Sequence, residues 1–169
     1  MKEIEIKFKV ENLEGPRKII KKLGARLLWK GIEENYYFDT LDKKLKKRGQ
    51  VLRIKKWKGF ETTLTLKTDL EGYNRKRFNI REEARMLIDE SHVKFAARIL
   101  KHLGFVEFFR YNKYREHWEA GNVSFELDKV GSRFFVEIEA PKKKIRELAD
   151  KLGLDWAGST AESYIELIK

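Results

Sequence analysis

The first ten residues alternate in character. Ile4, Ile6, Phe8 and Val10 are apolar, and Glu3, Glu5, Lys7 and Lys9 between them are charged. A period of two marks a β-strand with one apolar and one charged face. The same comb recurs down the chain. Arg53 and Lys55 oppose Leu52 and Ile54, and Thr63, Thr65 and Lys67 oppose Leu64 and Leu66. Arg77, Asn79 and Arg81 oppose Phe78 and Ile80, while Tyr111, Lys113 and Arg115 share one face. Ser124, Glu126 and Asp128 oppose Val123, Phe125 and Leu127, and Arg133, Glu137 and Glu139 oppose Phe134, Val136 and Ile138. A chain with so many two-faced strands must house both kinds of face, which restricts its fold more than any other feature.

Between the combs, turn and helix signals divide the chain. Ile19, Ile20 and Leu23 recur at helical spacing from about Pro16, and Gly24 closes that helix. Residues 25–39 read as one long strand or two collinear ones, and 40–49 as a basic connection. Strands are expected over 50–57 and 62–68, joined at Gly59 as an antiparallel hairpin. Another follows a loop, over 75–83. Asp89, Glu90 and Ser91 start a helix that runs through Val93, Ala96, Ala97, Leu100 and Leu103 to Gly104. Strands are expected over 105–118, 123–129 and 134–139. Pro141 opens a helix with Ile145, Leu148, Ala149 and Leu152 on its apolar face, and a last helix covers 160–168. This gives about eight strands and four helices. The connections are short, so the sheet is largely antiparallel.

Two arrangements satisfy this pattern. In one, the apolar faces form a single core and the charged faces are solvated. In the other, eight antiparallel strands close into a barrel. Its apolar faces then point outward beneath helices, and its charged faces line the interior. The distribution of sign bears on the choice. Acidic residues sit two apart in Glu3/Glu5, Glu126/Asp128 and Glu137/Glu139, with basic residues dominating the combs between. Such pairs point the same way and repel unless a cation intervenes. Carboxylates from three strands suit Mg²⁺ or Mn²⁺. Lysines and arginines from neighbouring strands suit a polyanion. Together they describe a site for a metal–triphosphate.

Composition removes several other chemistries. The 169 residues contain no cysteine, which excludes disulfides, thiolate nucleophiles and Cys-bound zinc. The three histidines, His92, His102 and His117, lack ligand spacing and read as surface or packing residues. No Gly-rich phosphate loop is present. Lysine and arginine total 38 against 27 acidic residues, a formal charge of +11, which points to an anionic partner. A Lys/Glu-rich, Cys-free composition is also common in thermophile proteins. No apolar run approaches a membrane span, and charges from Lys2 onward leave no signal-peptide pattern. A single cytoplasmic domain over 1–169, without membrane association, is expected. A homodimer is compatible with the sequence.

The ordered blocks resemble a known family. Glu3-Ile4-Glu5-Ile6-Lys7 resembles the ExExK signature of the CYTH superfamily, the class IV adenylyl cyclases, thiamine triphosphatases and other triphosphate tunnel metalloenzymes. The likeness continues in order through Tyr37-Phe38-Asp39-Thr40, Leu52-Arg53-Ile54-Lys55 and Thr65-Leu66-Lys67. It then takes in Lys113-Tyr114-Arg115, Phe125-Glu126-Leu127-Asp128 and Phe135-Val136-Glu137-Ile138-Glu139. Ser163-Tyr164 and Leu127 to Val130 resemble the cyclase branch. The resemblance implies an α+β fold whose eight-stranded antiparallel β-barrel forms a charged tunnel, with helices packed outside. It also implies that Glu3, Glu5, Glu126, Asp128, Glu137 and Glu139 bind Mg²⁺ or Mn²⁺. Lys7, Arg53, Lys55, Lys67, Lys113 and Arg115 would hold the triphosphate, joined by Arg81 of an Arg-x-Glu strand that includes Glu83. Glu5, Lys67 and Arg115 are the expected catalytic residues.

The expected activity is that of an adenylyl cyclase, with ATP giving cyclic AMP and pyrophosphate. The alternative is a triphosphatase acting on thiamine triphosphate, tripolyphosphate or a nucleotide. A non-catalytic nucleic-acid module, stacking bases on Trp29, Tyr36, Trp57 and Tyr111, is a weaker reading. The acidic pairs would repel a nucleic-acid backbone.

Overall fold

Lys2–Val10 forms the first strand, β1. The computed structural model describes residues 2–70 and 78–168, so Arg77 and the start of the strand expected over 75–83 lie outside the described residues. Helix α1 (Glu14–Lys22) follows β1, with Asn12 Oδ1 accepting from the Glu14 and Gly15 amides at 3.0 and 3.4 Å. β2 (Arg26–Asp39) is a single unbroken strand. The basic connection after it contains one helical turn, α2 (Lys44–Lys47). Buried Asp39 organises that turn, accepting from the amides of Thr40, Leu45 and Lys46 at 2.7, 2.9 and 3.1 Å.

β3 (Gln50–Trp57) and β4 (Glu61–Asp69) form the expected hairpin around Gly59, whose φ of +70° a side chain would resist. β5 (Asn79–Leu87) runs four residues beyond the expected end. Glu82 to Leu87 do not alternate, yet they continue the ladder because β4 pairs with them, Lys67 opposite Glu83 and Thr63 opposite Leu87. A 3₁₀ turn (Glu90–His92) capped by Asp89 leads into α3 (Val93–His102). β6 (Val106–Ala120), β7 (Val123–Val130) and β8 (Arg133–Glu139) form a meander. α4 (Lys142–Lys151) follows Pro141. The last helix is shorter than expected. Ser159–Thr160 forms a two-residue strand, β9, on β1, and α5 covers only Tyr164–Ile168.

The strands pair in the order β5-β4-β3-β2-β6-β7-β8-β1-β9, and β5 also pairs with β1. The eight long strands form a closed antiparallel β-barrel, with the five α-helices of the described residues outside it. None of those helices is long and apolar enough to cross a membrane.

Contacts group the described residues into two compact units. The first is built from residue 2, 32–70 and 81–112, and the second from 3–31, 78–80 and 113–168. In the first, Phe38, Leu52, Ile54 and Leu100 are buried together, with Leu64, Leu66, Val93, Ala96 and Ala97 against them. The apolar side of α3 thus covers the apolar face of β2, β3 and β4. In the second, Ile6, Phe8, Phe125, Leu127, Val136 and Ile138 are buried, as are Ile20 of α1 and Ile145, Leu148 and Ala149 of α4.

The opposite face of the same strands is also buried. Lys7 is 5 % exposed, Lys113 4 %, Asp128 0 %, Lys67 8 % and Arg81 7 %. Burial of both faces excludes the arrangement in which the combs are wetted by solvent, because ionised groups leave water only where other charges receive them.

Candidate active site

In the second unit, strand register sets the charged groups in rows. Arg115 of β6 lies opposite Asp128 of β7. Glu126 of β7 lies opposite Glu137 of β8, which lies opposite Lys7 of β1. Ser124, Glu139 and Glu5 form the next row. The centre of the cluster is Asp128. Its Oδ1 accepts from Arg115 Nε at 2.6 Å, and its Oδ2 accepts from Arg115 Nη2 at 2.6 Å, Lys113 Nζ at 2.9 Å and the Tyr164 hydroxyl at 2.5 Å. Arg115 Nη2 also donates to Glu137, whose other oxygen lies 3.0 Å from Lys7 Nζ. The Tyr164 ring carries the Lys7 and Lys113 ammonium groups 4.3 and 4.1 Å from its centroid. It also meets Phe135 edge-on. Lys7 donates to the Glu162 carbonyl at 3.1 Å as well.

The remaining carboxylates of this unit sit differently. Glu5 accepts from Asn79 Nδ2 at 2.8 Å. Glu3 is half-buried and Glu139 exposed. Glu126 Oε1 meets His117 Nδ1 at 2.8 Å. Its Oε2 is buried and has no hydrogen-bond partner among the described residues. Arg115 Nε is 3.6 Å from that oxygen. No group of three or more His, Asp or Glu side chains among the described residues is gathered closely enough to hold a metal ion unaided.

The first unit carries the other comb. Lys67 Nζ lies 3.2 Å from Glu83, Arg81 Nε 3.1 Å from Asp69, and Lys55 Nζ 3.2 Å from Glu61. Lys55 also sits 3.8 Å above the Trp57 ring. Arg53 donates to Asn35 Oδ1 at 3.3 Å, and Asn35 donates to Glu33 at 2.8 Å. Trp57 Nε1 donates to the other Glu33 oxygen at 2.5 Å. Thr63 and Thr65, both buried, occupy the same face of β4 as Lys67. Burial works against the charge of Arg53, but Tyr37, Glu33 and Tyr111 hold its pKa above the ordinary value.

Two of the aromatics expected to be available for stacking are not on the surface. Trp57 is buried because its indole N–H serves Glu33, and Tyr111 is buried in a stack on Tyr37 at 6.0 Å.

Two buried carboxylates titrate in opposite directions. Burial pushes Glu126 up. Burial would also raise Glu137, but Lys7, Arg115 and Lys113 outweigh it and hold that group well below the carboxylate range. A depressed folded-state pKa stabilises the fold above the unfolded value and loses that contribution as pH falls through the folded value. Glu126 has the opposite sign. Its cost to the fold is present near neutrality and fades as pH falls through its raised pKa. Urea midpoints measured between pH 7 and pH 3 are therefore expected to hold until about pH 5 and to fall as pH drops through about 4.3, where an unfolded Glu is half protonated. A midpoint that declines steadily from pH 7 would contradict the strong pairing of Glu137.

Several residues in these networks were not among the sequence candidates. Glu33 and Asn35 share the parity of Tyr37 on β2, so extending the comb backward reaches them. Asn79 lay within a recognised comb but carried no charge. Tyr164 reaches Asp128 from a helix 36 residues away, and no periodicity announces that. His92 and His102 are exposed as expected, but His117 lies between two carboxylates, Glu126 and Glu119.

Comparison with known proteins adds relatives to this geometry. The CYTH domain family matches residues 1–161. A Methanocaldococcus jannaschii protein named "Putative adenylate cyclase" is 30% identical over 172 residues, covering 100% of this chain and 89% of the relative. A solved Pyrococcus horikoshii protein superposes with a TM-score of 0.80 at 29% identity, covering 99% of each chain. A Hippeastrum protein, named an adenylyl cyclase but with a dominant triphosphatase activity, superposes with a TM-score of 0.64 at 16% identity. That superposition covers 95% of this chain and 91% of the other.

Proposed function

The chain belongs to the CYTH family of triphosphate-acting enzymes, and from that premise we propose that it is a divalent-metal-dependent adenylyl cyclase. The observation that carries the reading is the burial of its cations. Lys7, Lys113 and Arg115 in one unit, and Lys55, Lys67 and Arg81 in the other, are between 4 and 8 % exposed. Buried ammonium and guanidinium groups on neighbouring strands suit a ligand carrying several negative charges on tetrahedral oxygens. They do not suit a nucleic acid, which needs its cations on the surface.

One carboxylate of the set is open to a hard cation, which would have to draw its other ligands from groups now engaged by Lys and Arg and from substrate. Glu126 offers a buried oxygen with no hydrogen-bond partner among the described residues, beside Glu137 in the ladder, and the Glu5–Glu139 row lies two residues along. These residues, with Glu3 and Asp128, would hold Mg²⁺ or Mn²⁺, with substrate phosphate oxygens completing the shell. When bound, the metal would lower the pKa of the attacking hydroxyl and neutralise phosphate charge.

The chain's own groups do the rest. In the second unit Lys7 and Lys113 are the groups for phosphate oxygens; in the first, Arg53, Lys55 and Arg81 are the cations suited to the same kind of ligand. Glu5, fixed through Oε1 by Asn79, supplies the carboxylate that receives the proton of the ribose 3′-hydroxyl. The 3′-oxygen bonds to the α-phosphorus, and the bond from that phosphorus to the bridging oxygen breaks. Pyrophosphate leaves while Arg115 stabilises the charge that builds on the departing oxygen; Lys67, in the first unit, is the other cation expected to take part in catalysis. What supports the cyclase over its alternative is the resemblance of Ser163-Tyr164 and Leu127 to Val130 to the cyclase branch; Tyr164 is hydrogen-bonded to Asp128 within the charged network that either activity would use.

The second reading, a triphosphatase that directs water to the terminal phosphate, draws on the Hippeastrum neighbour. Purified protein given ATP, thiamine triphosphate and tripolyphosphate separately with Mg²⁺ or Mn²⁺ distinguishes the two. Cyclic AMP with pyrophosphate from ATP, abolished by EDTA and restored by metal, is the expected result. Orthophosphate release without cyclic AMP would replace the cyclase with the triphosphatase. Turnover that persists in EDTA would overturn the metal reading.

A further inference from the structure

His117 has no part in the chemistry described above, yet its surroundings are specific. It lies directly opposite Glu126 in the β6–β7 ladder. Its Nδ1 is 2.8 Å from Glu126 Oε1, and its Nε2 is 3.1 Å from Glu119 Oε1. Glu119 is two residues along the same strand and therefore on the same face. An imidazole spanned between two carboxylate oxygens cannot turn about its ring axis without losing both contacts.

The consequence falls on Glu126. One of its oxygens is held by His117, and the other is buried with no hydrogen-bond partner among the described residues. Its cross-strand neighbour Glu137 has both oxygens committed, one to Lys7 and one to Arg115. Arg115 Nε is 3.6 Å from Glu126 Oε2, beyond hydrogen-bond range but within the reach of a small rotation. A buried carboxylate oxygen without a hydrogen bond is costly, and an ion pair at 3.6 Å offsets that cost only in part.

We propose that His117 is a positioning residue that anchors Glu126 by Oε1, holding Oε2 short of a hydrogen bond with Arg115 Nε, 3.6 Å away, and available to a hard divalent cation. This rests on the metal reading given under the proposed function. Without the imidazole, the Glu126 carboxylate rotates onto Arg115 and its free oxygen is lost to the metal. Hydrogen-bond partners of ligating groups commonly set metal affinity by 10–100-fold.

The test is Mn²⁺ binding to the full chain together with an ATP analogue whose phosphorus bridges are methylene groups, read from the water-proton relaxation enhancement over the Mn²⁺–analogue complex alone. His117→Phe keeps the ring and removes both nitrogens, and is expected to weaken binding about 10–100-fold, as is Glu126→Gln. His117→Asn places an amide N–H near Nδ1 and is expected to restore binding to within about threefold of wild type. His117→Gln, whose amide lies nearer Nε2, is expected not to restore it. With ATP, the Phe variant is expected to need more Mn²⁺ for half-maximal rate while kcat at saturating Mn²⁺ stays within about fivefold.

Failure separates the two claims. If Glu126→Gln binds Mn²⁺ as wild type does, or wild type binds none, the metal reading falls and takes the inference with it. If Glu126→Gln weakens binding but His117→Phe does not, the positioning role falls and the metal reading stands. An Asn variant no better than Gln also overturns the role. That comparison decides the matter even if the Phe variant does not fold.

Discussion

An Asp128→Ala variant is expected to lose about 3–5 kcal/mol of folding stability together with its turnover. Asp128 is fully buried and takes charge from Lys113 and Arg115 while accepting the Tyr164 hydroxyl. Removing the carboxylate leaves two cations inside the protein with one fewer counter-charge, and desolvation then goes uncompensated. Urea denaturation followed by circular dichroism measures the loss. Tripolyphosphate should recover part of it, because the anion gives Lys113 and Arg115 a replacement partner. A variant within about 1 kcal/mol of wild type would show that the pairing around Asp128 contributes little beyond its own desolvation.

Arg115→Lys is expected to reduce kcat/KM for ATP by about 10²–10³-fold while costing less stability than Asp128→Ala. The guanidinium grips Asp128 through Nε and Nη2 and reaches Glu137 through Nη2. Lysine keeps the charge, but an ammonium is a point donor and cannot reproduce a planar fork across two strands. It would pair with one carboxylate and leave the others to rearrange, moving the charge meant for the leaving oxygen. Steady-state kinetics with thermal melts checks both parts. A near-wild-type kcat/KM would remove Arg115 from the catalytic set. The two substitutions share a network, so their effects should not add, and the double variant measures the coupling.

Much of this was legible because strand parity is a local property. Lys7 on one face and Phe8 on the other follow from their spacing, whatever the rest of the chain does. Parity could not say which face was buried, because burial depends on what each strand meets, and here both faces are covered. The family resemblance supplied the barrel. β5 ended later than expected because Glu82 to Leu87 take strand conformation from their partner β4 rather than from their own pattern. Glu33 escaped notice because nothing local marks an acidic residue beside Glu34 on a long strand as buried. Its partner Trp57, 24 residues away, makes it a buried acceptor. His117 was read from its lack of ligand spacing, whereas its role depends on register with β7.

The Lys7–Glu137 contact has a meaning apart from chemistry. β1 finds two of its partners, β8 and β9, more than a hundred residues along the chain, so those ladders close a very long loop. Pairings so distant in sequence fold slowly, and competing alignments have time to form. A one-residue slip of β1 would send Lys7 toward the apolar layer and Phe8 toward Glu137, inverting the whole strand. Glu137 would then be buried without its ammonium, and Ile6 and Phe8 would lose their apolar surroundings. The buried ion pairs thus penalise misalignment far more than they reward folding, and they act as a lock on register. The residues that would hold a triphosphate also ensure that the first strand docks in only one way.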